Sequence, residues 1–220
     1  MFSKEKISAL ILTGGEGRRI NGEDKGLMNY QGSTLIQQQI NWLKPQVSQI
    51  IISANRNFEQ YKKFGFPVYQ DLVVSSTGNV INELIESDTS QTRYRGPLSG
   101  LLQGLSHCAT EWLFVQPVDM PSLPNDIVEQ LVSKILQLNQ FGQLEQAHSN
   151  HCFYLKSNKR EHYLSMLISK KCLTDLKFFI KKGKKKVSDF HQQVGSVSID
   201  LGIAEAAYNN LNFSKDYIIE

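Results

Sequence analysis

LILTGGEGRRINGEDKGL, residues 10–27, starts apolar and breaks at once into glycine. The run from Ile7 to Leu12 predicts a short buried strand, and Gly14, Gly15 and Gly17 follow it. Glycines let a backbone approach an anion closely and aim N–H groups at it. Arg18, Arg19 and Lys25 come next, cations able to neutralise several phosphate oxygens together. The stretch therefore predicts a triphosphate site at the carboxyl end of a first strand. Two better-known phosphate loops do not fit. A Walker loop needs Ser or Thr after its lysine, and Gly26 follows Lys25; a dinucleotide fingerprint starting at Gly15 needs a third glycine where Ile20 stands.

Further strand-length apolar runs occur at 49–53, 67–69 and 112–115, with helical patterns between them. Ser33 is the expected cap of a helix to Leu43, ended by Pro45, and residues 98–107 and 126–138 also read as helices. Strands alternating with helices predict an α/β fold, a mostly parallel sheet covered on both faces, with ligands bound beyond the carboxyl ends of its strands. Residues 72–95 are polar and weakly patterned, and read as an insertion loop holding at most a short helix over 80–86. At 220 residues the chain is expected to be a single domain.

The net charge of +3 gives no global attraction to nucleic acid, and the apolar run after the N-terminus is too short for a signal core or a membrane span. Cys108, Cys152 and Cys172 form no CxxC pair, which predicts reduced thiols and a cytoplasmic protein, with neither nucleic acid nor membrane as partner. His148, His151 and Cys152 match no zinc spacing.

Strand ends supply the other candidates. Asp119 follows the 112–115 strand between Pro117 and Pro121. It reads either as a turn former or as a holder of Mg2+ beside phosphate oxygens. Asp71 after 67–69 has the same two readings. Asn55 and Arg56 follow 49–53, and Gly96 opens a helix where backbone N–H groups can meet an anion or a base. Lys181–Lys186 reads as a solvated charge run or as the cradle of a second, anionic substrate, with Phe178 and Phe179 beside it facing the core.

Taken in order, LTGGEGRRINGEDKGL, SANR, the Asp71 strand end, RGPLSG and PVDMP resemble the motifs of the molybdenum cofactor guanylyltransferases, the MobA-like family of nucleotidyltransferases. Gly183-Lys184-Lys185-Lys186-Val187 and Asn210-Leu211-Asn212 resemble that family's late motifs. The resemblance implies a Rossmann-like, three-layer fold of the glycosyltransferase-A type. It implies transfer of GMP from GTP to molybdopterin bearing molybdenum, with Mg2+ as cofactor and release of pyrophosphate. Leu12, Thr13, Gly14, Gly15, Ser53, Asn55, Asp71 and Gly96 would serve GTP, Lys25 and Arg19 its phosphates, and Asp119 both Mg2+ and GTP. Lys185, Lys186, Asn210 and Asn212 would serve the pterin, so the N-terminal half binds nucleotide and the C-terminal half pterin. Other cofactor-synthesis proteins and molybdoenzyme chaperones are the implied protein partners. The chain departs from the family pattern at Thr13, where alanine is usual, at Ser53, where asparagine is common, and at His148-Ser149, where His-Pro is common. A cytidylyltransferase on the same pterin, a sugar-phosphate nucleotidyltransferase and a non-catalytic nucleotide-binding protein are the competing readings.

Overall fold

The computed structural model describes residues 3–13, 24–70, 73–74, 80–81, 96–144 and 151–211. Gly14, Gly15, Gly17, Arg18, Arg19, Asp71, His148 and Asn212 lie outside these described residues. In chain order the elements are β1 (Ile7–Leu12), β2 (Asn29–Tyr30), β3 (Ser33–Thr34), α1 (Leu35–Leu43), β4 (Gln49–Ser53), α2 (Phe58–Lys62), β5 (Val68–Tyr69), β6 (Val73–Val74), β7 (Val80–Ile81) and α3 (Pro97–His107). They continue as β8 (Trp112–Pro117), α4 (Ile127–Gln140), β9 (Cys152–Lys156), β10 (Glu161–Ser169), α5 (Leu173–Lys181), α6 (Val187–Gln193) and β11 (Val197–Asp200).

Among the described residues, seven strands form the main sheet in the order β11-β9-β10-β8-β1-β4-β5. Every pairing is parallel except the two that β10 makes, with β8 and with β9. β1 is buried along its whole length, as expected of a strand covered on both faces. Its side chains alternate between two cores. Ile7, Ala9 and Ile11 pack with Phe114 of β8 and with α1 and α4; Leu10 and Leu12 pack with Val115 of β8 and with α3, α5 and α6. The result is helix, sheet and helix in three layers. No described helix is long and apolar enough to cross a membrane.

Three expectations need correction. The cap of α1 is Thr34, whose hydroxyl accepts from Gln37 N at 3.4 Å, because the β3 ladder takes up both Ser33 and Thr34 and the helix starts only at Leu35. Val80–Ile81 is not helical but extended, paired antiparallel with Val73–Val74. Consecutive β-branched residues on both sides favour the strand; residues 82–86 lie outside the described set. Phe178 is 53% exposed, because Leu176, Phe179 and Ile180 take the inward stripe of α5. The ammonium of Lys182 sits 4.2 Å from the Phe178 ring centroid.

Candidate active site

The parallel strands end side by side. Leu12 O accepts from Val118 N at 3.0 Å, which ties the exit of β1 to that of β8. Thr13 donates to Ser53 O twice, from its N–H at 3.0 Å and from its hydroxyl at 2.8 Å, which ties β1 to β4. Two of the positions at which the chain departs from the family pattern, Thr13 and Ser53, are thus partners in one contact. Ser53 is buried, and its side chain lies under the first turns of α3. A Cβ on Gly100 would stand 2.6 Å from Ser53 Oγ and 2.7 Å from Leu12 Cδ2, so only glycine lets α3 approach this closely. Gly96 occupies the position before α3, and Asn55 is exposed just past β4.

Beyond these ends Lys25 Nζ meets Asp119 Oδ2 at 3.1 Å, with side chains 32% and 17% exposed. An ion pair this accessible contributes roughly 0–1 kcal/mol to stability. Its interest is its place, a cation and a carboxylate facing each other at the carboxyl edge of the two central strands. The backbone that carries Asp119 is held from several sides. Asp119 O accepts from Leu211 N at 2.9 Å, and Met120 O accepts from Gln39 at 3.3 Å and from Gln116 at 3.4 Å.

Lys25 opens a 3-10 turn over Lys25–Leu27, and the residue before it is the best-held carboxylate described. Asp24 Oδ1 accepts from Gly26 N at 3.2 Å and from the Tyr61 hydroxyl at 2.6 Å. Its Oδ2 accepts from Asn57 Nδ2 at 3.0 Å and pairs with Arg56 Nε at 3.6 Å. Burial, and then the Asp24 charge and hydrogen bond, push the Tyr61 phenol well above its usual range, so it stays a donor.

The sequence-derived residues divide accordingly. The structure brings Leu12, Thr13, Ser53, Lys25 and Asp119 to one edge, with exposed Asn210 next to Leu211 beside them. β10 ends opposite Trp112, the amino end of β8, and Lys185 and Lys186 are exposed in the turn between α5 and α6. No contact joins these two lysines to Asp119 among the described residues; Lys186 pairs instead with Asp189 at 3.6 Å. Tyr61, Asn57 and the Leu211 tether were not singled out from the sequence. The polar triplet Asn55-Arg56-Asn57 ahead of Tyr61 was the available signal.

Asp119 suits Mg2+, which commonly takes one or two carboxylates and fills its shell with phosphate oxygens and water. Among the described residues no three His, Cys, Asp or Glu side chains gather, so a metal here would draw its other ligands from a bound phosphate.

Known proteins share the sequence pattern and the fold. The family described as "MobA-like NTP transferase domain" matches residues 9–196. A molybdenum cofactor guanylyltransferase of Serratia proteamaculans is 33% identical over 212 residues, 96% of this chain and 92% of that one. One of Mannheimia succiniciproducens is 32% identical over 206 residues, 94% of each. The crystal structure of Molybdopterin-guanine dinucleotide biosynthesis protein A from Archaeoglobus fulgidus has the same fold, with a TM-score of 0.61 at 18% identity over 89% of this chain and 84% of that one.

Proposed function

The chain belongs to the MobA-like NTP transferase family, and from that premise we propose that it transfers the GMP moiety of GTP to the terminal phosphate of molybdenum-bearing molybdopterin. The observation that carries the reading is the Lys25–Asp119 pair at the carboxyl edge, with Leu211 of the Asn-x-Asn segment bonded to the same aspartate's backbone. The shared name of the relatives supports guanine over cytosine.

An oxygen of the pterin phosphate, already ionised near neutral pH, attacks the α-phosphorus of GTP in line. The bond from that phosphorus to the bridging oxygen breaks, and pyrophosphate leaves. No side-chain nucleophile or base is required, so the residues act by positioning and charge neutralisation. Lys25, with Arg19, neutralises the departing phosphates. Asp119 would hold Mg2+, which would supply Lewis-acid polarisation of phosphate oxygens. Leu12, Thr13, Gly14, Gly15, Ser53, Asn55, Asp71 and Gly96 form the nucleotide side. Lys185, Lys186, Asn210 and Asn212 form the pterin side. One domain spans 1–220, nucleotide in its first half and pterin in its second, with 72–95 as an insertion. The three cysteines are free and buried, which supports a reducing cytoplasm as the place of work.

The test is incubation with each labelled nucleoside triphosphate, Mg2+ and molybdopterin, with pyrophosphate release measured. GTP is expected to turn over well ahead of CTP. Equal turnover of the two rejects the guanylyl reading, and no release with any nucleotide returns the chain to a non-catalytic nucleotide-binding role.

A further inference from the structure

We propose that Asp24 is a positioning residue that aims Lys25, through a buried carboxylate hub completed by Tyr61, Asn57 and Arg56; the inference rests on the role given to Lys25 above. A buried carboxylate is costly unless its lone pairs are filled. With its side chain 5% exposed, Asp24 receives the Gly26 N–H and the Tyr61 hydroxyl on one oxygen, and Asn57 and Arg56 on the other. An apolar residue would fill this position at no electrostatic cost, so four converging polar groups suggest a demand for orientation beyond packing. Their effect falls on Lys25. The residue before it is clamped by its side chain and the residue after it by its backbone N–H, leaving the lysine backbone little freedom.

The hub reaches across the sequence. Asn57 adopts a left-handed conformation, φ 51° and ψ 31°, which turns the exit of β4 so that Arg56 and Asn57 come back to Asp24. Asn tolerates this conformation better than other residues with a Cβ. Tyr61, one turn into α2, closes the far side. Gly26 answers it, since a Cβ there would run into the Tyr61 hydroxyl and approach Thr13 Cβ to 3.4 Å. The turn that presents Lys25 is therefore shaped against α2 and β4, and it delivers the ammonium to Asp119 at 3.1 Å.

Tyr61→Phe removes one donor to Asp24 without opening a cavity, and Asp24→Asn removes the charge. Tyr61→Phe is expected to lower kcat for GMP transfer about ten-fold, and Asp24→Asn about a hundred-fold, with KM for GTP within about three-fold of native. In a Lys25→Ala background, Tyr61→Phe is expected to cost nothing further, because the hub acts through that lysine. A second readout does not depend on catalysis: labelling of Lys25 with acetic anhydride, read by mass spectrometry, is expected to rise several-fold in Tyr61→Phe. Native kcat and native labelling in Tyr61→Phe overturn the inference, as does the same loss in the Lys25→Ala background as in the native one. If Asp24→Asn does not fold, Tyr61→Phe alone decides. If the native chain transfers no GMP, the functional reading fails by itself, and the labelling still decides the hub.

Discussion

Lys25 and Asp119 neutralise each other at 3.1 Å in a place open enough for both to be claimed by a ligand. On the proposed function a triphosphate would draw the ammonium and its metal the carboxylate, while the pair itself adds little to the fold. Removing one well-placed charged donor from a transition state costs on the order of 3–4 kcal/mol. Lys25→Ala is thus expected to slow GMP transfer by about 10²-fold or more. Its unfolding midpoint should stay near native, since a solvent-accessible ion pair contributes little stability. Steady-state kinetics beside thermal denaturation check both halves; near-native turnover removes Lys25 from the mechanism. Lys25 itself was legible from its spacing behind the glycines. Its anchors, Tyr61 and Asn57, were not, because nothing local to residues 57–61 says that they fold back onto Asp24.

At the scale of elements, α3 packs closely on the sheet through two glycines. Gly100 and Gly104 lie one turn apart on its sheet-facing side, and a Cβ on Gly104 would stand 2.6 Å from Leu10 and 2.9 Å from Leu113, both fully buried. Overpacking a filled core costs about 1–3 kcal/mol. Gly104→Val is expected to lose that much in urea unfolding, while an unchanged transition midpoint would show that Leu10 and Leu113 can yield. The central elements were readable because their signals are local: continuous apolar runs for β1, β4 and β8, and helical spacing for α1, α3 and α4. β10 and β11 are harder to read, since β10 begins on the polar Glu161-His162-Tyr163, its apolar run is only Met166-Leu167-Ile168, and β11 has four residues of which Ile199 alone is buried. Pairing between β8 and β9 makes β10 a strand, and that partnership is not local. Phe178 was misassigned for a related reason: one step along α5 turns a side chain by about 100°, from core to water.

Across the whole molecule, the antiparallel β10 joins β8 to β9, and His191 packs against β9 and β10 at this joint. Its Nε2 lies 2.9 Å from Tyr163 O and its Nδ1 3.8 Å from Cys152 Sγ, with the Tyr154 ring centroid 4.7 Å away. Burial pulls its imidazole down to about 4, against which the bond to Tyr163 works only partly. An unfolded chain takes up this proton near pH 6.5, and the folded one refuses it until about pH 4. Stability therefore falls as pH drops through that window, by up to about 3 kcal/mol from this group. Denaturation midpoints between pH 7 and 4 should show a shallower fall in His191→Gln, and an unchanged pH profile would rule the histidine out as a cause. The layered α/β architecture was readable along the chain, as were Lys25 behind its glycines and Asp119 behind its strand as candidates, because periodicity, glycine spacing and charge act over a few neighbours. Only the tertiary structure decided that Lys25 faces Asp119, that Leu211 returns to Asp119's backbone and that Asp24 is gripped from β4 and α2. These contacts join residues from 32 to 94 positions apart, and such distances close only when the sheet sets its strand ends side by side.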